Sequence, residues 1–190
     1  MDAQRPPLRA DAEQNRARIL AVARTALSES SDASLNAIAR LAGVGPGTLY
    51  RHFPNREALV LAVYRRDVRE LIDAVPDLLA AHPPVAALRL WLDRLAAYGR
   101  VKHGLADALH AATRADLASE HYSPVVDAMT LLLDAGKAAG ELRPDIDADD
   151  LLVLVGFLWR LDPAPNRDTR SSHMLDLVMD GLRQQRGMGR

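Results

Sequence analysis

The chain has no cysteine, which excludes disulfides, thiolate metal sites and a cysteine nucleophile together. Aromatic residues are scarce, with two Trp, two Phe and four Tyr in 190 residues. No stretch of strand length alternates apolar with polar residues, so β-structure is not expected. No apolar run reaches the roughly 18–20 uncharged residues of a membrane-spanning helix. The opening MDAQRPPLRADAEQNR is polar and lacks the apolar core of a secretory signal. There is no internal repeat. These absences point to a cytoplasmic, helical protein without a membrane partner. A hydrophobic fraction of 48% is ordinary for a globular chain of this length, which suits one or two small domains with a sizeable core.

What is present is unevenly placed. Residues 1–66 hold 10 Arg against 6 Asp and Glu, and residues 67–190 hold 14 Lys and Arg against 19 acids. A basic head on an acidic body suits a chain whose head alone meets phosphate. Alanine and leucine abound, and nearly everything reads as helix. Residues 1–14 are expected to be a flexible arm, with Pro6-Pro7 opposing helix. Asn15–Ser28 sets Ile19, Leu20, Ala23, Ala26 and Leu27 on one stripe of a first helix. Ser34 is suited to cap a second. A third opens at Gly45-Pro46, and a long fourth runs from Pro54-Asn55 to about Leu79. A fifth follows Pro84 to about Lys102, and a short sixth lies around Leu105–Thr113. A seventh opens at Ser123-Pro124 and ends at Gly140. Asp147–Leu161 and about Thr169–Gln185 complete an all-α chain of about nine helices.

The stretch SLNAIARLAGVGPGTLYRHFPN, residues 34–55, has the geometry of a helix-turn-helix. Ala39 is small where two helices cross. Gly43 can take the left-handed backbone that ends the first helix. Leu49 is the apolar anchor of the second, and Ile38, Ala42 and Val44 complete a small buried face. Such a pair presents its second helix to the major groove of DNA. The run Gly45–Pro54, followed by Asn55-Arg56-Glu57-Ala58-Leu59, closely resembles the signature of TetR-family transcriptional regulators. The likeness is detailed over about residues 15–65 and is one of helix layout beyond them.

That resemblance implies a three-helix DNA-binding domain over 15–55 and a helical ligand-binding and dimerisation domain over 56–190. It assigns Gly45, Pro46, Gly47, Thr48, Tyr50, Arg51, His52 and Arg56 to the DNA. Gly47 lets the backbone approach, and the Thr48 hydroxyl can bond phosphate or a base edge. Tyr50 takes a position used for phosphate and thymine-methyl contacts. Arg51 and His52 reach the flanking backbone, and Arg56 matches a phosphate-gripping position. Arg5 and Arg9 on the arm can reach a minor groove. The chain departs from the pattern at Gly45 and Pro46, where many relatives carry a Ser and a polar or basic residue. A capping hydroxyl and a base reader are thereby lost, and DNA shape gains weight.

In the body, family pockets form among the fourth to seventh helices. Trp91, Leu95, Tyr98, His110, Thr113, Met129 and Leu133 are therefore the ligand candidates, and a mostly apolar small-molecule effector is implied. The eighth and ninth helices carry broad apolar faces. Leu151, Leu152, Val155, Leu158 and Trp159 on one, with Leu175, Val178 and Leu182 on the other, are expected to form a homodimer interface. No cofactor or metal is expected. His103 and His110 are seven apart with Gly104 between them, and Asp145, Asp147, Asp149 and Asp150 lack the glycine and terminal glutamate of a calcium loop. Ser119 and Ser123 sit in no nucleophile elbow, so catalysis is not expected. The leading expectation is a repressor released from a double-stranded DNA operator by ligand. The rivals are a constitutive DNA-binding or architectural dimer and a small helical enzyme.

Overall fold

The structure is a computed structural model. It describes the backbone of residues 7–30, 33–106, 111–159 and 166–184 and, within these, the side chains other than those of 7–10, 29, 99–121 and 159. Among the described residues it is built of α1 (Pro7–Glu29), α2 (Leu35–Leu41), α3 (Pro46–His52), α4 (Arg56–Asp73), α5 (Val75–Ala81), α6 (Pro84–Ala106), α7 (Ala111–Ala138), α8 (Ala148–Leu154) and α9 (Arg167–Leu182), with a 3-10 turn, Val155–Trp159, after α8. These form two compact units, one of Met1–Arg66 with Val101–Arg114 and the other of Asp67–Arg100 with Ala115–Arg190. One division falls inside α4, between Arg66 and Asp67.

In the first unit α1, α2 and α3 pack on one another. The α1 stripe is buried at Ile19, Leu20, Ala23 and Leu27, and Ile38 and Ala39 of α2, Ala42 at its C-cap and Leu49 of α3 are buried as well. Ser34 caps α2, its hydroxyl accepting from the Ala37 N–H at 3.2 Å. The helix stops where Gly43 turns left-handed at φ 64°. The Val44 N–H then reaches back to the Ala39 carbonyl at 3.0 Å and the Gly43 N–H to Arg40 at 3.1 Å, satisfying carbonyls that the helix end would strand.

In the second unit α6 turns Leu88, Trp91, Leu92 and Leu95 inward, α7 turns Ala128, Met129, Leu132 and Leu133, and α9 turns Leu175, Met179 and Leu182. The Trp91 indole N–H donates to the Leu71 carbonyl at 2.9 Å. It thereby satisfies both its own buried donor and a carbonyl in the last turn of α4. Arg89 fastens α6 to α9, donating to the Asp176 carboxylate at 2.8 Å and the Ser172 hydroxyl at 3.0 Å, and pairing with Asp93 on its own helix. Beyond α9, the Gln184 N–H bonds the Glu141 carbonyl and the Arg143 N–H bonds that of Leu182, each at 2.9 Å.

Several boundaries differ from the sequence expectation. The arm expected over 1–14 is helical from Pro7, because proline at a first helical position forfeits no intrahelical bond. The long fourth helix is two: Pro76 has no N–H for the Ile72 carbonyl, so α4 ends at Asp73 and α5 restarts with proline in its first turn. Pro124 does the opposite and lies inside α7. The expected sixth helix falls across the end of α6 and the start of α7, with 107–110 outside the described residues. The eighth helix is α8 followed by the 3-10 turn, where Gly156 weakens helix continuation. The ninth begins at Arg167 and ends at Leu182, where the strand-like pairing with 141–143 takes over.

Candidate nucleic-acid interface

α3 is seven residues long, and the side chain it buries is Leu49. Pro46 stands in its first turn, and the Gly45 carbonyl accepts from both the Thr48 N–H (2.9 Å) and the Leu49 N–H (3.2 Å). The helix ends at Phe53, whose N–H bonds the Leu49 carbonyl at 2.8 Å. The buried Phe53 ring lies 5.3 Å from the Arg16 guanidinium of α1, a cation–π contact that holds this end of α3. With Leu49 inward, the opposite side of so short a helix has to face out. Gly45, Pro46, Gly47, Tyr50 and Arg51 are exposed, Tyr50 by 45%, and Thr48 and His52 are half-buried. The His52 ring rests 6.2 Å from that of Phe53.

Two of the arginines are engaged within the protein. Arg51 folds along its own helix, Nε donating to the Gly47 carbonyl at 3.2 Å. Arg56 is half-buried, and its guanidinium donates to the Ala33 carbonyl, bracing the start of α4 against the segment that leads into α2. That bond gives Arg56 a structural role at the phosphate-gripping position that it matches. Arg9 lies in α1 and Arg5 falls outside the described residues. Two features of the head escaped the sequence reading. Asn55 caps α4, accepting from the Ala58 N–H at 2.8 Å. Arg40, in the last turn of α2, is exposed and adds to the exposed positive charge of Arg16, Arg18, Arg24 and Arg65. The signal for Arg40 was its position on the polar side of an otherwise apolar helix.

Comparison with known proteins bears on this geometry. Residues 19–63 match the bacterial regulatory proteins of the tetR family, and residues 83–184 match the C-terminal domain of SbtR-like transcriptional regulators. A TetR transcriptional regulator from Streptomyces coelicolor is 45% identical over 90% of this chain and 99% of its own, with a TM-score of 0.77. The chain belongs to the TetR family. A second TetR-family structure, from Mycobacterium vanbaalenii, is 36% identical over 94% of this chain and all of its own, with a TM-score of 0.74. The HTH-type regulator UidR of Escherichia coli K12 is 40% identical over 62 residues, 32% of either chain, so this chain spans about a third of the length of that relative. The protein is a TetR-family DNA-binding transcriptional regulator, and α3 lies within the segment that matches the tetR family.

The body residues divide. Trp91, Leu95, Met129 and Leu133 are interior, as a pocket lining or a core requires, and Tyr98 is buried as well. His110 lies outside the described residues, and Thr113 lies in α7 with its side chain outside them. A cleft of about 460 Å³ opens between the start of α6 and the end of α9, bordered by Val85, Ala86, Arg89, Asp176, Met179 and Asp180 among others. None of the candidate ligand residues lines it.

The dimer expectation needs correction residue by residue. Leu151, Val155, Leu158, Leu175 and Leu182 are buried within the single chain, because their spacing of three and four puts them on the faces that α8, the 3-10 turn and α9 turn inward. Leu152 and Val178 are half-buried, and Trp159 ends the 3-10 turn with its side chain outside the described residues. On α8 and α9 the large apolar residues left exposed are Val153 (79%), Leu154 (52%) and Leu177 (59%).

The acidic run serves the fold. Asp147 caps α8, accepting from the Asp150 N–H at 2.8 Å, and Asp149 accepts from the Tyr122 hydroxyl. That bond pushes the Tyr122 phenol up from its ordinary value. Asp145 takes two bonds from Arg143 at 2.6 Å, which hold its carboxyl at about 2. Among the described residues no group of three His, Cys, Asp or Glu is disposed to hold a metal, and no helix is long and apolar enough to cross a membrane.

Proposed function

We propose that this TetR-family regulator is a cytoplasmic repressor that binds a palindromic operator as a homodimer and leaves it when a small, mostly apolar molecule enters the body. The observation that carries the reading is the disposition of α3, which buries Leu49 and turns Pro46, Gly47, Tyr50 and Arg51 to solvent from an arginine-rich unit. Two such helices related by a twofold axis meet half-sites about one helical turn apart. Tyr50 supplies a phenol to phosphate or a thymine methyl, and Thr48 and Arg51 add polar contacts. The dimer rests on Val153, Leu154 and Leu177, with half-buried Leu152 and Val178 beside them. Large side chains this exposed are what a second copy would cover.

Release works through α4, whose first part belongs to the DNA-binding unit and whose last part belongs to the body. A ligand among Trp91, Leu95, Tyr98, Met129 and Leu133 shifts the last turn of α4, where the Leu71 carbonyl is tied to Trp91. The ligand has to bind the DNA-incompetent state more tightly, since equal affinity shifts nothing. Genomic footprinting with the purified protein tests the DNA half of the proposal. A ligand screen read by Trp91 fluorescence and by release of the footprinted fragment tests the other. A screen of apolar metabolites that releases no DNA favours the constitutive dimer.

A further inference from the structure

We propose that Arg51 reads a guanine of the operator in the major groove and sets sequence specificity there. The inference rests on the reading of α3 as the DNA-contacting helix. It departs from the family resemblance, which places Arg51 on the flanking phosphate backbone.

The direction of the side chain carries the inference. Leu49 is the buried anchor of α3. At about 3.6 residues per turn, Arg51 lies roughly 200° round the helix from Leu49, near the middle of the outward face, with Tyr50 on its flank. Arg51 is exposed and stands in the last turn of α3, where an extended side chain could reach past the helix end. It turns the other way. Its Nε donates to the Gly47 carbonyl at 3.2 Å, one turn back. A carbonyl has two lone pairs, so Gly47 can accept this bond without giving up its helix bond. The guanidinium is thereby drawn toward the first turn of α3, and it is the N-terminal part of a recognition helix that meets base edges.

The chemistry left over suits one base. With Nε engaged, the two terminal nitrogens keep four N–H groups in a fixed plane. Guanine presents two acceptors side by side in the major groove, O6 and N7, which such a fork matches. Adenine sets a donor in place of O6 and is refused. The tether also restricts the side chain before DNA arrives, so less freedom is lost on binding. The start of α3 offers no competitor. Gly45 and Gly47 have no side chain, the Pro46 ring ends in no polar atom, and Thr48 is half-buried with a single hydroxyl. Arg51 takes on the direct reading that Gly45 and Pro46 forgo.

The test is Arg51→Ala in the full chain, with Tyr50→Ala beside it, on the site that wild-type footprinting recovers. Each base pair of both half-sites is exchanged in turn, and every titration is repeated across a range of salt. Wild type is expected to lose about tenfold or more in affinity when one guanine of each half-site is exchanged. Arg51→Ala is expected to lose about as much on the original site and to become indifferent to that one exchange, keeping its preferences elsewhere. A loss that is equal on all sequences, with the salt slope lowered by about one, makes Arg51 a phosphate contact and overturns the inference. A variant that keeps the guanine preference overturns it too, because the preference then comes from DNA shape or another residue. If Tyr50→Ala weakens binding and Arg51→Ala does not, the inference falls and the reading of α3 stands. If both variants bind like wild type, α3 is not the contacting helix and the two fall together.

Discussion

The head and the body solve the problem of their outer surfaces in opposite ways. The head closes its core with α1 and two seven-residue helices, and its outward helix α3 exposes glycine, proline, Tyr50 and Arg51. The body closes a larger core around Trp91, yet leaves Val153, Leu154 and Leu177 in solvent. A pared surface suits a rigid, charged, grooved partner that must come close. A bulky apolar surface suits a partner that is itself apolar, such as a second copy of the same face. The contrast teaches that the exposed residues, more than the buried ones, distinguish what each unit meets.

The largest effect expected is at the anchor of the head. Leu49→Ala removes the side chain that holds α3, costs about 2–5 kcal/mol, and abolishes operator binding together with the head's cooperative unfolding, measured by calorimetry and gel shift. Tyr50→Ala abolishes much of the same binding, by about 1–3 kcal/mol, with the unfolding transition unmoved. Were the two variants to behave alike in calorimetry, the division between inward and outward faces of α3 would be wrong.

A second pair sharpens the comparison in the body. Leu175 and Leu177 are two apart on α9, one buried and one exposed. Leu175→Arg puts a charge in the core and prevents folding. Leu177→Arg leaves the protomer folded and sets two arginines against each other across the proposed twofold, weakening the dimer by about a hundredfold or more. Sedimentation velocity reads this directly, and a Leu177→Arg protein that stays dimeric removes α9 from the interface.

How much of this was legible in the sequence depends on whether a residue acts locally. The Ser34 cap, the left-handed Gly43, proline in the first turn of α3 and the buried Leu49 are all local events, and each could be read from its neighbours. The prolines show the limit. Pro76 ends a helix and Pro124 does not, although both lie in apolar-periodic stretches. The missing hydrogen bond is the same, so packing of the flanking turns decides, and a single sequence does not display packing. The same limit put Leu151, Val155, Leu158, Leu175 and Leu182 on the expected dimer face. A broad apolar stripe says how much is buried but not against which partner. The bond of Arg56 to the Ala33 carbonyl likewise spans a stretch of chain that local reading does not connect.

Smaller effects follow from single polar atoms. Trp91→Phe keeps the ring volume nearly filled but strands the Leu71 carbonyl, and is expected to cost about 1–3 kcal/mol in urea denaturation. If that carbonyl tie transmits ligand entry, the variant also binds operator with an altered response to effector. Arg143→Ala is the smallest. Its partner Asp145 has a carboxyl held below the usual range, so the pair stabilises the fold above about pH 4, and the contribution disappears as pH falls toward about 2. Both groups are exposed, so the wild-type and variant stability curves should differ only slightly at neutral pH and converge at acid pH.

The most direct test of the central claim is footprinting of the purified wild-type protein on genomic DNA, followed by titration of the recovered site with Tyr50→Ala. The account predicts a protected sequence with twofold symmetry, half-sites about one helical turn apart, affinity that falls steeply with salt, and loss of about tenfold or more in the variant. Protection without symmetry, or a variant that binds the site as tightly as wild type, would contradict it.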